Sequence, residues 1–352
     1  MQSESLRLNR TATQPLPLPH QPHQNFPSIH ILRDHLLGHR PWSQFEFYEP
    51  ASKTPTTHRV KPPLSKMPPP SIPHLPPSSL GQKSYWDTAY DRELTNYTST
   101  GTDEGTIWFS DADAEERVIS FLEDLYEEGE LQKEAGAKGE GGASRILDLG
   151  TGNGHFLFAL RGEGWRGEMV GVDYSERSVE LARGILEGKR KQRTTKGQTE
   201  PNGADTDGAD GEQPENEESE DEEEQEIVDY DDISFHTHDI LEPISPTSPP
   251  SWLSTAFDLV LDKGTFDAIC LSEETDSSGR RICEGYKDRV LRLVKPGGRF
   301  LVTSCNWTGE ELRAWFDGKE GGFEFESEVK YPTFRFGGKE GSQVASCCFR
   351  RV

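Results

Sequence analysis

Three glycines alternate with single residues directly after a short apolar run in the segment RILDLGTGNG, residues Arg145–Gly154. Gly150, Gly152 and Gly154 follow Asp148, the acid within that run. A strand that turns tightly into a helix needs glycine where another backbone or a ligand comes close. In the dinucleotide pattern G-x-G-x-x-G the helix amino terminus meets a pyrophosphate, and here the register is one residue shorter. The spacing therefore favours a nucleoside cofactor that lacks a phosphate.

S-adenosylmethionine is such a cofactor, so we expect the chain to be a methyltransferase. Its amino-acid part would lie over the glycine turn, where Asp148 would face the ligand ammonium or adjacent backbone amides. Asp173 ends the next apolar run 19 residues after Gly154, the distance at which an acid accepts the ribose hydroxyls of an adenosine. Both cofactor classes use this acid, so Asp173 indicates a nucleoside without choosing one. The alternative for the glycines is a generic tight turn.

The rest of the adenosine site is predicted from residues near the ends of the second and third strands. Asp239 could contact the adenine amino group, and Ile240 would pack against the ring. A solvated loop acid is an equally good interpretation of Asp239. We also assign Tyr174, the neighbour of Asp173, to this site.

Strand and helix patterns alternate through residues 81–183 and 233–352, as expected for a sheet with helices on both faces. The fold class predicted is therefore α/β, a Rossmann-like, mostly parallel sheet of seven strands that ends in an antiparallel hairpin. Its predicted strands are Arg145–Leu149, Met169–Asp173, Ile233–Thr237, Phe257–Leu261, Arg299–Ser304, Phe323–Lys330 and Val344–Arg350. Its predicted helices are Asp111–Glu127, His155–Arg161, Ser178–Ile185 and Tyr286–Val294.

Two polar segments lie outside this pattern. Residues 1–80 hold 16 of the 24 prolines and seven of the ten histidines, without useful hydrophobic periodicity. Residues 200–232 hold 17 acidic and no basic residues, so about −7 of the net charge of −24 remains for the rest of the chain. Such segments bury too little apolar surface to offset chain entropy. We predict a disordered tail at 1–77 and a methyltransferase domain at 78–352, interrupted by a disordered acidic insert at about 188–231.

Composition also argues against several classes of protein. The five cysteines show no CxxC or Cys/His ligand spacing, so we expect reduced thiols and no metal. No apolar run approaches the ~20 residues of a membrane helix. A basic stripe with interleaved aromatic residues is missing from the sequence, which argues against nucleic acid as a partner. We therefore expect a cytoplasmic monomer that binds neither membrane nor nucleic acid.

Six segments resemble, in order and spacing, the EFM4-type seven-β-strand lysine methyltransferases that act on translation elongation factor 1-alpha. They are GQKSYWDTAYDREL, GTIWFSD, ILDLGTGNG, VGVDYSE, DLVLDKGTFDAI and LVKPGGRFLVTSCNWTGEEL. The resemblance covers nearly all of residues 78–183 and 233–352. It implies a class I methyltransferase fold, S-adenosylmethionine as cofactor and elongation factor 1-alpha as protein substrate. The first 66 residues and the acidic insert depart from the family.

The resemblance also implies the catalytic residues. Asp262, at the end of the fourth strand, sits where the acceptor amine should arrive, and Phe266 would wall its channel. The alternative is that Asp262 caps the next helix and Phe266 belongs to the core. Trp86 and Trp108 could line the cofactor pocket or could only pack the N-terminal helix onto the sheet.

The chemistry expected is an in-line transfer of a methyl group to a lysine amine, which needs no covalent enzyme intermediate. Presenting a neutral lysine amine at pH 7 costs ~4–5 kcal/mol, and an apolar entry beside a cationic sulfonium reduces this cost. Asp262 would then orient the amine instead of acting as a strong base. The competing functions are a methyltransferase for a small molecule, a nucleic acid or another protein, and a binding module that has lost catalysis.

Overall fold

A computed structural model describes residues 74–136, 142–196, 228–245, 247–318, 322–336 and 339–352. Residues 1–73 of the predicted tail and residues 197–227 of the predicted insert lie outside the described part of the chain. Residues 74–77 contact the domain, and residues 188–196 are helical. Only the remaining parts of the two segments therefore stay predictions of disorder.

One sheet of seven strands has the order β3-β2-β1-β4-β5-β9-β6. The first five strands are parallel, and β9 is antiparallel to both β5 and β6. This confirms the predicted mostly parallel sheet with an antiparallel end. β7 and β8 pair separately as a two-stranded hairpin. The strands are β1 (Ile146–Leu149), β2 (Met169–Asp173), β3 (Ile233–Thr237), β4 (Phe257–Lys263), β5 (Val294–Ser304), β6 (Phe323–Val329), β7 (Phe334–Phe336), β8 (Lys339–Gly341) and β9 (Ala345–Arg351).

Helices cover both faces of the sheet. Leu147 and Val260 pack with the helices that follow β4 and β5, whereas their strand neighbours Ile146 and Leu259 pack with those before β1 and around β2. Alternate strand residues point to opposite faces, so the two apolar clusters lie on opposite sides. The helices are α1 (Lys83–Thr100), α2 (Ala114–Glu127), α3 (His155–Gly162), α4 (Glu176–Lys196), α5 (Thr265–Cys270), α6 (Tyr286–Leu293) and α7 (Gly309–Phe316).

The start of α2 differs from the prediction. The helix begins at Ala114 and not at Asp111, because Phe109 and Asp113 have left-handed backbones with φ of 66° and 51°. A short 3-10 turn, Ser110–Ala112, lies between them. These two are the only residues other than glycine with positive φ among those described, and both lie in the segment that leads into the carboxyl edge of the sheet.

Candidate active site

The parallel register brings the predicted motifs to one edge of the sheet. Leu149, the last residue of β1, pairs with Val172 of β2 and with Asp262 of β4. The glycine turn after β1, Asp173 at the end of β2 and Asp262 near the end of β4 therefore lie beside one another. Ligands of open α/β sheets bind at this carboxyl edge.

The glycine turn has close neighbours on two sides. Gly150 has φ of +66°, and a Cβ there would lie 1.9 Å from Oγ1 of Thr265. Gly152 has φ of +58°, and a Cβ there would lie 2.8 Å from the Tyr90 hydroxyl. Both positions therefore need glycine for the backbone angle and for the approach of another element. Gly154 also has positive φ and is the first residue before α3.

Asp173 organises the turn from the end of β2. Its carboxylate accepts hydrogen bonds from the backbone N–H of Gly152 at 3.1 Å and of Ser175 at 2.9 Å. Burial raises the pKa of Asp173, and these hydrogen bonds oppose that effect. The predicted ribose acceptor is thus held against the glycine turn.

Asp148 is a buried acid below the same turn, with an exposure of 3%. Burial raises its pKa to about 7, although the neighbouring Thr151 and the Lys263 ammonium favour the charged form. A cation brought close to Asp148 would favour the carboxylate. The role of Asp148 toward a ligand ammonium stays a prediction.

Tyr90 is a residue that the sequence analysis missed. It lies on α1 one turn after Trp86, and the two rings stack at 6.2 Å between centroids. Its hydroxyl reaches Gly152, and the nearby Asp173 carboxylate adds to burial in raising the tyrosine pKa. The only sequence signal was the spacing of four residues from Trp86, which places both rings on one helix face.

Trp86 and Trp108 contact each other. Their centroids are 5.2 Å apart in an edge arrangement, and Trp86 Nε1 donates to the Leu80 carbonyl at 2.7 Å. Both rings are half-buried. They join α1 to the segment before α2, and Trp86 reaches the glycine turn through Tyr90. Their assignment to the cofactor pocket stays a prediction.

Tyr174 and Asp239 follow the paired ends of β2 and β3, where Asp173 lies opposite Thr237. Burial raises the pKa of Tyr174, and the charges of several acids, Asp239 among them, add to this. Asp239 Oδ1 accepts from the Leu241 N–H at 2.8 Å, so the side chain closes its own turn. Ile240 is 8% exposed and belongs to the apolar cluster that contains Leu147. Contact of these residues with adenine stays a prediction.

Asp262 has an exposure of 1%, and its carboxylate has several partners. It accepts from the N–H groups of Thr265 and Phe266, the first two residues of α5, at 2.9 to 3.2 Å. The Tyr286 hydroxyl donates to it at 2.5 Å. Burial raises the pKa of Asp262 to about 7, while these hydrogen bonds oppose the shift.

Phe266 lies in the core behind Asp262. It is 1% exposed, and it stacks on Tyr286 at 5.3 Å and contacts Phe316 at 4.9 Å between centroids. Its contacts, like those of Asp262, are the ones expected for the helix-cap and core alternative. The predicted roles of the two residues toward the acceptor amine are not decided by these contacts.

A second missed group surrounds Lys263. Its ammonium lies 3.4 Å from Glu115 and donates to the Trp108 carbonyl at 3.2 Å. Glu115 also meets Nδ1 of His155 at 2.6 Å. Burial raises the pKa of Glu115, but the hydrogen bond with His155 and the Lys263 charge leave it lower than usual. The group ties α2, α3 and β4 together beside the glycine turn.

A cavity of about 590 Å³ opens between the start of α1 and the loop after α5. This volume lies within the range of small-ligand pockets. Glu273 and Glu274 line one side, and Lys83 lies on the other. The ammonium of Lys83 also lies 5.3 Å from the ring centroid of Tyr174, the residue after β2. The cavity therefore adjoins the carboxyl edge of β2.

These residues fit S-adenosylmethionine. Asp148 is buried where a ligand ammonium would stabilise its charge, and Asp173 is fixed against a turn whose glycines leave no room for a Cβ. The Gly152 N–H is not available to bind a pyrophosphate, because it already donates a hydrogen bond to the Asp173 carboxylate.

Comparisons with known proteins agree with the geometry. A family model described as a methyltransferase domain matches residues 141–196. The chain is 36% identical to protein-lysine N-methyltransferase efm4 of Schizosaccharomyces pombe, over 78% of this chain and 95% of that protein. It is 34% identical to EFM4 of Saccharomyces cerevisiae, over 78% and 96% of the two chains. It is 32% identical to EEF1A lysine methyltransferase 2 of Danio rerio, over 78% and 89%. The chain therefore belongs to the EFM4 and EEF1A lysine methyltransferase 2 family, and it is an S-adenosylmethionine-dependent protein-lysine N-methyltransferase.

Proposed function

We propose that the enzyme methylates a lysine of elongation factor 1-alpha (EEF1A). The observation that carries the proposal is the 32% identity, over 78% of this chain, to a zebrafish protein that is named for this substrate. The alternatives are another protein or a small molecule as acceptor.

We propose that Asp148, Tyr174, Asp173 and the glycine turn hold the cofactor. When bound, S-adenosylmethionine supplies an activated methyl group on a sulfonium. Asp148 would take the ligand ammonium, and Asp173 would accept from the ribose while it keeps its bond to the Gly152 N–H. Because these groups are already fixed by the protein, little ordering is left for the moment of binding.

Asp262 and Phe266 remain our predicted catalytic residues. An amine that arrives beside the end of β4 must be neutral, and apolar groups beside the cationic sulfonium would lower the cost of losing its proton. Asp262 would orient the amine and stabilise the positive charge that forms on it. Phe266 would support this wall of the channel through its stacking on Tyr286.

The cavity beside α1 is our candidate for the entry of the acceptor segment. Glu273 and Glu274 give its rim a negative charge, which attracts a lysine-bearing peptide. We further propose a cytoplasmic monomer whose partners include neither nucleic acid nor membrane. In the part of the chain that is described, no helix is long and apolar enough to cross a bilayer.

The test of the substrate is transfer of labelled methyl from S-adenosylmethionine to purified EEF1A, followed by mass spectrometry of the labelled peptide. We expect label on lysine, and none when EEF1A is left out. The same reaction in a lysate provides the comparison. Label that enters other proteins but not EEF1A would show that the substrate proposal is wrong, while the class of enzyme would stand.

A further inference from the structure

Two cysteines meet behind the active site. Cys270 is the last residue of α5, and Cys283 lies in the 3-10 turn Ile282–Gly285 that leads into α6. Both belong to the same apolar cluster, and Arg281, two residues before Cys283, donates to the Cys270 carbonyl at 2.9 Å. Both thiols are free, and both residues are 1% exposed. The reaction outlined above uses neither of them.

Cys283 also has a base and an acid beside it. Nδ1 of His74 lies 3.7 Å from Cys283 Sγ, and Nε2 of the same ring lies 3.3 Å from a Glu284 carboxylate oxygen. An imidazole between a thiol and a carboxylate can take the thiol proton and hold the resulting charge, as in activated cysteine nucleophiles. His74 is partly exposed, whereas Cys283 is buried.

The surroundings shift the pKa values of the two thiols in opposite directions. The neighbouring Cys270 and His74 side chains lower the pKa of Cys283 to about 6, with a smaller contribution from Arg281. Burial raises the pKa of Cys270, and the nearby Asp267 charge adds to this. A thiolate next to a neutral thiol is the combination found in cysteine pairs that respond to oxidants.

We propose that Cys283 and Cys270 form a peroxide-sensitive thiol pair, with Cys283 as the attacking thiolate and Cys270 as the resolving thiol. The Cys283 sulfur attacks hydrogen peroxide, a sulfur–oxygen bond forms as the oxygen–oxygen bond breaks, and the departing hydroxide takes up a proton to become water. The Cys270 sulfur then attacks the sulfenic acid. The disulfide forms, the sulfur–oxygen bond breaks, and a second water leaves with the Cys270 proton. Two thiols are oxidised and one peroxide is reduced.

The position of Cys270 links this pair to the methyl-transfer site. The helix that it ends begins at Thr265, whose N–H donates to Asp262 and whose hydroxyl donates to the Leu149 carbonyl beside the glycine turn. α5 has only six residues, so a bridge at one end acts on the other end within two turns. We expect the oxidised enzyme to transfer methyl groups more slowly, and a reductant to restore the rate.

The experiment treats the reduced full-length enzyme with hydrogen peroxide, blocks remaining thiols and maps the peptides by mass spectrometry. We expect a linked peptide pair from Cys270 and Cys283, a fall in methyl transfer that follows its formation, and recovery of both with dithiothreitol. Cys283→Ser should keep its activity under the same treatment. Equal loss of activity in Cys283→Ser, or a peroxide-treated wild type without the linked pair, would overturn the proposal.

Cys305 provides a matched control. It is more exposed than Cys283, but burial and the nearby Asp267 charge raise its pKa. If activation decides reactivity, iodoacetamide should modify Cys283 about 10-fold or more faster than Cys305 at pH 7, and His74→Gln should slow only Cys283. The rate at Cys283 should rise with a midpoint near pH 6, set by His74, Glu284, Arg281 and Cys270 around it. Faster modification of Cys305 would show that exposure alone governs these thiols.

Discussion

The hydroxyl of Tyr286 donates a hydrogen bond of 2.5 Å to Oδ2 of Asp262, and neither residue is more than 1% exposed. The bond joins the first residue of α6 to the end of β4 at the point where the acceptor amine is expected. Asp262 has a pKa raised by burial to about 7, so its charge at neutral pH depends on such donors. The role of this carboxylate is therefore testable by changing its charge and its donor separately.

Asp262→Asn keeps an oxygen for the first amides of α5 and removes the charge. If Asp262 stabilises the forming ammonium, single-turnover methyl transfer to EEF1A should fall by ~10²-fold, with cofactor affinity unchanged. Tyr286→Phe is the matched variant, because it removes the donor and leaves the carboxylate, and it should lose less. Thermal melts would establish that both variants fold. An asparagine variant as fast as wild type would leave Asp262 with only its helix-capping role.

Gly152→Ala tests whether the turn holds the cofactor. The new Cβ would lie 2.8 Å from the Tyr90 hydroxyl, at φ of +58°. Gly101→Ala is the control, since Gly101 has φ of +72° and nothing within 4 Å. Both variants should lose ~1–2 kcal/mol of stability from the left-handed backbone. Only Gly152→Ala should weaken S-adenosylmethionine binding in calorimetry, and the larger Gly152→Arg should abolish it.

A further variant, Tyr90→Phe, separates a steric effect of the new Cβ at position 152 from a change in ligand contacts. Tyr90→Phe removes the atom that the alanine Cβ would meet, so Gly152→Ala combined with Tyr90→Phe should recover part of the lost affinity. Wild-type affinity in Gly152→Ala alone, with the same melting temperature as Gly101→Ala, would contradict the assignment of the turn to the cofactor.

Cofactor binding should depend on pH through Asp148. Its pKa is raised by burial to about 7, so ionisation becomes favourable as the pH passes that value. A ligand ammonium prefers the carboxylate, so S-adenosylmethionine affinity should increase between about pH 6 and pH 8. Asp148→Asn should bind more weakly and without this pH dependence. The same slope in wild type and Asp148→Asn would assign the effect to another group.

Asp148 should also make the free energy of unfolding depend on pH, in the direction opposite to its effect on cofactor affinity. The folded pKa of Asp148 exceeds its usual value of 3.8, so the folded state binds the proton more tightly than the unfolded chain. The free energy of unfolding should therefore fall as the pH rises from about 4 to about 7. Relative to wild type, Asp148→Asn should become more stable over this window, as urea unfolding would measure in the absence of cofactor.

Charge at the cavity should affect the protein substrate and not the cofactor. The double variant Glu273→Gln, Glu274→Gln should raise KM for EEF1A several-fold, because long-range attraction for a lysine-bearing segment is reduced. The effect should shrink at high salt. Glu127→Gln, Glu128→Gln carries the same change of charge on exposed residues at the end of α2, before β1, and should leave KM unchanged. A weaker cofactor affinity with an unchanged KM would assign the cavity to adenosine.

The bounds of two parallel strands, β2 and β3, follow from local pattern, whereas β5 begins at Val294, five residues before the predicted Arg299. β2 and β3 begin and end where the apolar runs MVGVD and ISFHT predict, because each run is bounded by polar residues and alternates or is buried throughout. The order of strands and helices, the antiparallel end and the place of the glycine turn follow in the same way. The family resemblance rested on motif order, which is also a property of the chain alone.

Elements without a periodic pattern needed the tertiary structure. α1 received no predicted bounds, since it buries only Tyr90 and Glu93 and so has no apolar stripe. The start of α2 was wrong by three residues because the left-handed backbones of Phe109 and Asp113 have no signature in the sequence. Bounds of that kind depend on what the segment packs against.

The sequence by itself determined which residues we assign to the cofactor, because Asp148, the glycines and Asp173 come from two adjacent strand ends with fixed spacing along the chain. Only the tertiary structure decided their partners. Tyr90 reaches Gly152 from 62 residues away along the chain, and Tyr286 reaches Asp262 from 24. Such contacts are set by how helices pack on the sheet, and packing depends on distances in space that spacing along the chain does not encode.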